Sequence, residues 1–436
     1  MRRLFPVVSA LWLFSGGLPA AQASGGLPGF VHRAWTARDG GPAGAVLAIT
    51  QTADGYLWLA GEAEGLVRFD GVRFQPVPEL AQLHGTSETR VLCLLAGRDG
   101  TLWVGTNWGL ARLVDGEWEL VAAGREISEV WGIAEAPDGG IWLALLMRGI
   151  GTFKDGSLRI SEWKTGRPQT VAVDRQQQVW IGGSEGLSRL EGGSLAMMRP
   201  GGPGDAFVGR NGLSTATAGG LWAATRGGLM RVEAGQQQGR LETGPGLGRE
   251  PCNVVLEDAA GRLWVGTVSG GLRQRSKGGA RFAIFSARDG LTSDEVLALF
   301  EDREGSLWVG TSRGLDQLRP SAFETIGEPE GLAGDKATAI VESFDGTVWV
   351  WSDGGGLSHL VDGRIDVYDH EQGLASDFGG PLFESRDHSL FIGHDRGLTR
   401  LRQGKATVYR QGLLSQRYVS AITEDEEGLL ISVLDA

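Results

Sequence analysis

The sequence predicts an all-β fold, a β-propeller of four-stranded antiparallel blades. Three observations carry that prediction: a tryptophan that returns at a fixed interval, turn residues at fixed offsets around it, and no helical stripe of useful length in between. GTLWVGTNWGL at 100–110 returns as GSLWVGTSRGL at 305–315. Aligned on its tryptophan, the pattern carries Trp58, Trp103, Trp142, Trp180, Trp222, Trp264, Trp308 and Trp349; Phe391 takes the slot in DHSLFIGHDRGL and Ile431 in EEGLLISVLDA. Ten slots, 38 to 45 residues apart, mark a tandem architecture.

Residues 285–323 show what one repeat builds. VLALFED is a short apolar run, REG a turn, SLWVGT an alternating run, SRG a second turn and LDQL a third run. Short apolar runs bounded by Gly and Asp clusters read as strands joined by hairpins. Many repeats continue with Asp-Gly, at Asp70-Gly71, Asp115-Gly116, Asp155-Gly156 and Asp362-Gly363. That dipeptide suits a two-residue type I′ turn, whose central residues both need positive φ. A fourth strand follows, such as RFQPV or EWELV. Four antiparallel strands in about 40 residues make one blade. The slot tryptophan is then a packing residue: its ring fills the wedge between neighbouring blades and its N–H finds a nearby carbonyl.

The ten slots divide into a seven-bladed first ring, residues 30–320, and an incomplete second propeller of about three blades, residues 321–436. WTARDGGPAGAVLAI from Trp35 matches FSARDGLTSDEVLAL from Phe285, so residues 31–37 are expected to be an outer strand that completes the blade of Trp308. In that blade alone Arg319-Pro320 replaces the turn glycine, and proline cannot adopt positive φ, so the hairpin is expected to break there. Residues 1–23 read as a signal peptide: basic MRR, an apolar stretch of eleven residues, and a small-residue site at Ala21–Ala23. A periplasmic or extracellular location follows from it, with no second membrane segment.

Composition narrows the function. Hydrophobic residues are 41% and charged residues 22%, an ordinary globular balance. The net charge of −12 argues against a nucleic-acid partner, which requires clustered Lys and Arg. Cys93 and Cys252 open two repeats and read as small buried core residues. No zinc, EF-hand or other metal spacing is present, and no cofactor signature is read. GGSEG at 182–186 and GTSRG at 310–314 fit the hydrolase elbow in letters but lie in a hairpin turn rather than between strand and helix. Four of the six histidines fall in the second region, and His84 is the one serious candidate for a general base in the first.

The pattern DGxLWVGTxxGL followed by RFDG resembles the two-component regulator propeller repeat, and AWTARDGGPAGAVLAITQTADGYLWLAGEAEGLVRFDGVRF resembles the start of such sensors. The resemblance covers residues 30–436. It implies an extracytoplasmic sensor region of two propellers, carbohydrate fragments as ligands, and a signalling partner or output domain. A membrane helix, a kinase phosphoacceptor region and a GGDEF-like motif, which usually follow in that family, are not read here.

If the repeated letters are scaffold, recognition falls to the letters that vary. The turn between strands two and three shares a face with the link into each inner strand. Trp108, Arg148, Glu185, Arg226 and Arg313 vary in the turns; Arg90, Glu129, Trp131 and Glu295 lie in the links. Trp108, Trp131, Arg90 and Arg148 are the expected ligand-binding residues, because aromatic rings with guanidinium donors suit a flat polar ligand such as an oligosaccharide. No catalytic residue is expected. A protein-binding scaffold and a propeller lyase or hydrolase are the alternative readings.

Overall fold

The computed structural model describes residue 27 and residues 29–434, apart from 85–88, 125–126, 128, 162–165, 192–193, 198–205, 208–210, 234–235, 237–238, 322–325, 362–363, 396 and 416. The signal-peptide reading and the Asp362-Gly363 turn lie outside the described residues. The chain divides into two compact units, residues 1–322 and 323–436.

In the first unit, seven sheets open with the inner strands Val46–Gln51, Val91–Ala96, Val130–Glu135, Pro168–Val173, Leu213–Thr215, Cys252–Glu257 and Val296–Glu301. Each is a four-stranded antiparallel sheet, and in the first six the strands lie in chain order. The seventh consists of Val296–Glu301, Leu307–Thr311, Gly314–Pro320 and, from the other end of the chain, Phe30–Trp35. Each inner strand packs against the next and the first against the seventh, so the ring closes.

The closing strand is the one expected, with shifted bounds. It runs Phe30–Trp35 and leaves the sheet at Thr36, whose hydroxyl donates to Asp39 as it opens a short 3-10 turn, Ala37–Asp39. The hairpin breaks where expected: Arg319 and Pro320 end strand Gly314–Pro320, opposite Val31 and Phe30 of the strand from the other end of the chain. Proline is tolerated at a strand end, where its missing N–H costs no ladder bond. Inside the sheet, His32 Nε2 meets the fully buried Asp316 Oδ1 at 2.8 Å, a hydrogen bond between the ends of the ring. The link from sheet one to sheet two holds a short helix, Glu79–His84, which buries Leu80 against Trp58 and Leu102 and which the strand pattern did not predict.

The slot residues pack as expected: Trp58, Trp103, Trp180, Trp222, Trp264 and Trp308 are all buried. Their N–H groups choose a different partner. Trp180, Trp264 and Trp308 donate at 2.7–2.8 Å to the carboxylates of Asp174, Asp258 and Asp302, six residues earlier, and Trp58 donates to Thr52. Each of these carboxylates also accepts backbone N–H groups of the intervening turn. The glycine of WVGT is steric: a Cβ on Gly266 would stand 2.5 Å from methyls of Val254 and Val296, the inner strands of its own and the next sheet. Asp115-Gly116 and Asp155-Gly156 have φ of 50° and 85°, and 50° and 73°, as type I′ turns require.

The second unit contains two four-stranded sheets and one two-stranded sheet. The first comprises Ala337–Glu342, Val348–Ser352, Gly356–Val361 and Arg364–Tyr368; the second Gly379–Glu384, Leu390–His394, Gly397–Arg402 and Lys405–Tyr409; the third Tyr418–Glu424 and Leu429–Leu434.

Candidate functional site

The turn between strands two and three is held by its repeated letters. Thr106 Oγ1 donates to Gly109 O and accepts from the N–H groups of Trp108 and Gly109. Thr225, Thr267 and Thr311 donate in the same way in their own turns. Gly109, at φ 150°, lies against Ala122 O with no room for a side chain. Threonine and glycine therefore fix the turn's backbone, and the two letters between them are free to differ.

Each turn is also laced to the link entering its own sheet. Asn107 N donates to Arg90 O at 3.1 Å while Arg90 N donates to Asn107 Oδ1 at 2.8 Å. Ser184 and Arg167 repeat this exchange. Leu146 donates to Glu129 O and Ser312 to Glu295 O. Turns and links thus form one face of the ring.

On that face a cleft of about 510 Å³ opens between sheets one and two. Glu62, Glu64, Thr89, Arg90 and Asn107 line its rim, with Leu66 and Leu80 beneath. Glu64 Oε1 accepts the Ala43 N–H at 2.7 Å, while its Oε2 is buried with no hydrogen-bond partner among the described residues. Of the four expected residues, Arg90 lines this cleft. Trp108 adjoins Asn107 and is 43% exposed. Trp131 and Arg148 belong to sheet three, the next one round. Trp131 is not in a link but in inner strand Val130–Glu135, at the bulge between Val130 and Gly132. It is half-buried, and its indole N–H donates to Glu129 Oε2 at 2.7 Å. Arg148 sits in the turn, its N–H on Leu145 O. Trp108, Trp131 and Arg148 do not line the cleft. Glu62 and Glu64 were missed, although they are the variable letters of AGEAEGL.

The axis of the ring is narrow among the described residues. Asn211 Nδ2 reaches Leu47 O at 2.9 Å and Leu297 O at 3.5 Å, bridging sheet five to sheets one and seven. The cavity among the inner strands measures about 190 Å³, below the range of about 300–1,000 Å³ usual for ligand pockets. Ser184 and Ser312, the serines of the two elbow-like motifs, are held by Arg167 N and by Ser293 Oγ in turns that run into strands. Cys93 and Cys252 are free and buried, and burial pushes the Cys252 thiol up to about 12, far from a reactive thiolate. Among the described residues no group of His, Cys, Asp and Glu could hold a metal ion.

Solved propellers share this architecture. The extracellular domain of a hybrid two-component system from B. thetaiotaomicron matches with a TM-score of 0.68 at 19% identity, over 93% of this chain and 58% of that one. A second such domain from the same organism gives 0.56 at 20% identity, over 93% and 57%. Virginiamycin B lyase from Staphylococcus aureus gives 0.54 at 18% identity, over 66% of this chain and 99% of the lyase. At these identities the likeness is one of fold, and the chain spans less than three fifths of the length of the first two. No curated protein matches the sequence. The family described as two component regulator propeller matches residues 85–108 and 290–313, so the chain carries that repeat in its second and seventh sheets. Its fold is similar to that of the propellers in those extracellular domains. No described helix is long and apolar enough to cross a membrane.

Proposed function

We propose that the first ring is an exported, non-enzymatic sensing module that binds a polar ligand, an oligosaccharide, on the face made by the turns and links. The observation that carries this reading is the division of labour in the turn: Thr106 and Gly109 fix the backbone, and the variable letters Asn107 and Trp108 stand in or beside the cleft that Arg90 lines. An indole 43% exposed on a rigid turn is a platform for the apolar face of a sugar ring. Arg90, Asn107 and the two glutamates supply donors and acceptors for its hydroxyls.

The test is calorimetric titration of the full chain against a panel of neutral and acidic oligosaccharides. Binding is expected, and Arg90→Ala is expected to weaken it by about tenfold, the loss of one charge-assisted hydrogen bond. Silence across the panel would favour the protein-scaffold reading. Turnover of a bound ligand would favour the lyase reading.

A further inference from the structure

We propose that the second unit carries a binding cleft for an organic cation, an alkylammonium or guanidinium group, between its two four-stranded sheets. The cleft measures about 460 Å³ and is lined by Phe344, Trp349, Tyr368, His359, His388 and Glu384, among others. No lysine or arginine is among its lining residues.

Three of these residues depart from the rest of the repeat. The first departure is above the slot ring. At four other slots the cross-strand partner supplies a guanidinium: Arg112 lies 5.6 Å from the Trp103 ring centre, Arg189 5.5 Å from Trp180, Arg231 5.0 Å from Trp222 and Arg400 5.8 Å from Phe391; opposite Trp142, Trp264 and Trp308 stand the neutral Thr152, Gln274 and Gln317. Trp349 is paired instead with His359, stacked at 3.6 Å and 5°. Partial burial lowers the His359 pKa from its ordinary value, which keeps that ring neutral at pH 7. The guanidinium that those four slots carry is replaced here by a neutral aromatic ring.

The second departure is Phe344, five residues before the slot. It is 71% exposed, where other turns carry Ala53, Arg98, Pro137, Arg175, Thr217, Ala259, Arg303 or Arg386. The third is His388, three residues before its slot, at φ 59°. That left-handed position belongs to Gly100, Gly261, Gly305 and Gly346 in other turns, at φ between 78° and 89°, and to Gln177 at φ 64° before Trp180. Where most turns place no side chain, this one places an imidazole. The His388 ring stands edge-on to Phe344 at 5.0 Å and its Nδ1 is 3.7 Å from Glu384 Oε1.

His359, Phe344 and His388 therefore meet in one cleft. Glu384 is buried, and Ser343 Oγ and the Phe344 N–H fix its Oε2 at 2.6 and 3.2 Å. Asp345 adds a second carboxylate to the lining. Aromatic faces backed by fixed carboxylates attract a cation. An anion would meet carboxylates with no lysine or arginine to offset them.

The experiment is calorimetric titration of the full chain with choline, with methylguanidinium, and with 3,3-dimethylbutanol, choline's uncharged isostere. A cation is expected to bind, and the isostere to bind about tenfold more weakly or not at all. His359→Arg returns the repeat's own guanidinium to Trp349 and is expected to abolish binding without lowering the melting temperature. His388→Gly restores the repeat's glycine, so it is expected to hold or raise the melting temperature while weakening binding. Equal affinity for choline and its isostere, silence with both cations, or unchanged binding in His388→Gly would overturn the proposal. Should His359→Arg fail to fold, the isostere comparison and His388→Gly decide.

Discussion

Asp302 shows how much one carboxylate holds in this fold. It accepts the N–H groups of Glu304 and Ser306 through Oδ1 and the Trp308 indole through Oδ2. Asp302→Ala would leave those donors unpaired at a mostly buried site and is expected to cost about 3 kcal/mol in urea unfolding. Asp99→Ala removes an exposed cap on Thr101 N and is expected to cost under about 1 kcal/mol. His394 makes a second residue-scale prediction. It is fully buried, and burial lowers its pKa from 6.5 to about 4. The unfolded chain then binds the proton more readily than the native one. The second unit should keep this contribution above pH 6.5 and lose about 3 kcal/mol as the pH falls towards 4. Hydrogen exchange of Leu390–His394, corrected for intrinsic rates, is expected to show the loss, and His394→Phe to abolish it. The packing role of the slot tryptophan was legible because its position recurs. Its carboxylate partner was not, because aspartate appears either six residues before the slot, as in Asp302, or four before, as in Asp99. The two spacings look like drift until the hydrogen bonds separate them.

Strands and turns account for closure. The end of each inner strand tends to clasp the turn of the preceding sheet: Glu135 accepts Arg98 N, Glu301 accepts Ala259 N, and Gln51 accepts Arg303 N, the last joining sheet one to sheet seven. The strongest closing element is Phe30–Trp35 itself. Its His32 meets Asp316, which also accepts the Thr292 N–H at 3.1 Å. Removing the acceptor would leave the Thr292 N–H and His32 without their partner, at about 1–3 kcal/mol for each buried group left unpaired. Asp316→Ala is therefore expected to lower the melting temperature and to speed exchange in Phe30–Trp35 ahead of Val130–Glu135. Equal acceleration in both strands would show that the pair does not lock the ring. The strand was legible in the likeness of 35–49 to 285–299. The lock was not, because a histidine and an aspartate 284 residues apart carry no shared signal in one sequence.

At the scale of the molecule, a closed ring of seven sheets puts every turn between strands two and three on one face, with the link entering the same sheet. The architecture was legible because the period is written ten times. The cleft was legible only in part. Arg90 and Trp108 could be named from their slots, but the helix Glu79–His84 that helps to floor the cleft breaks the strand period, and the bulge that moves Trp131 out of its link changes the register by a single residue. In the second unit, Ile340 on the first inner strand is 72% exposed, and Leu430 and Leu434 on the last strand are 53% and 55% exposed. Exchange in Ala337–Glu342 and Leu429–Leu434 is expected to be faster than in the enclosed strand Val296–Glu301.

The central claim is that repeated letters build the ring and variable letters serve it. Two tryptophans five residues apart test that claim in one measurement: thermal unfolding and oligosaccharide titration of Trp103→Ala and Trp108→Ala side by side. Trp103 is buried in its slot and Trp108 is exposed on the turn. Trp103→Ala is expected to cost about 3–5 kcal/mol of stability as a large-to-small core change. Trp108→Ala is expected to leave the melting temperature nearly unchanged and to weaken binding by about tenfold. A Trp108→Ala protein that unfolds, or one that binds as tightly as the wild type, would contradict the account.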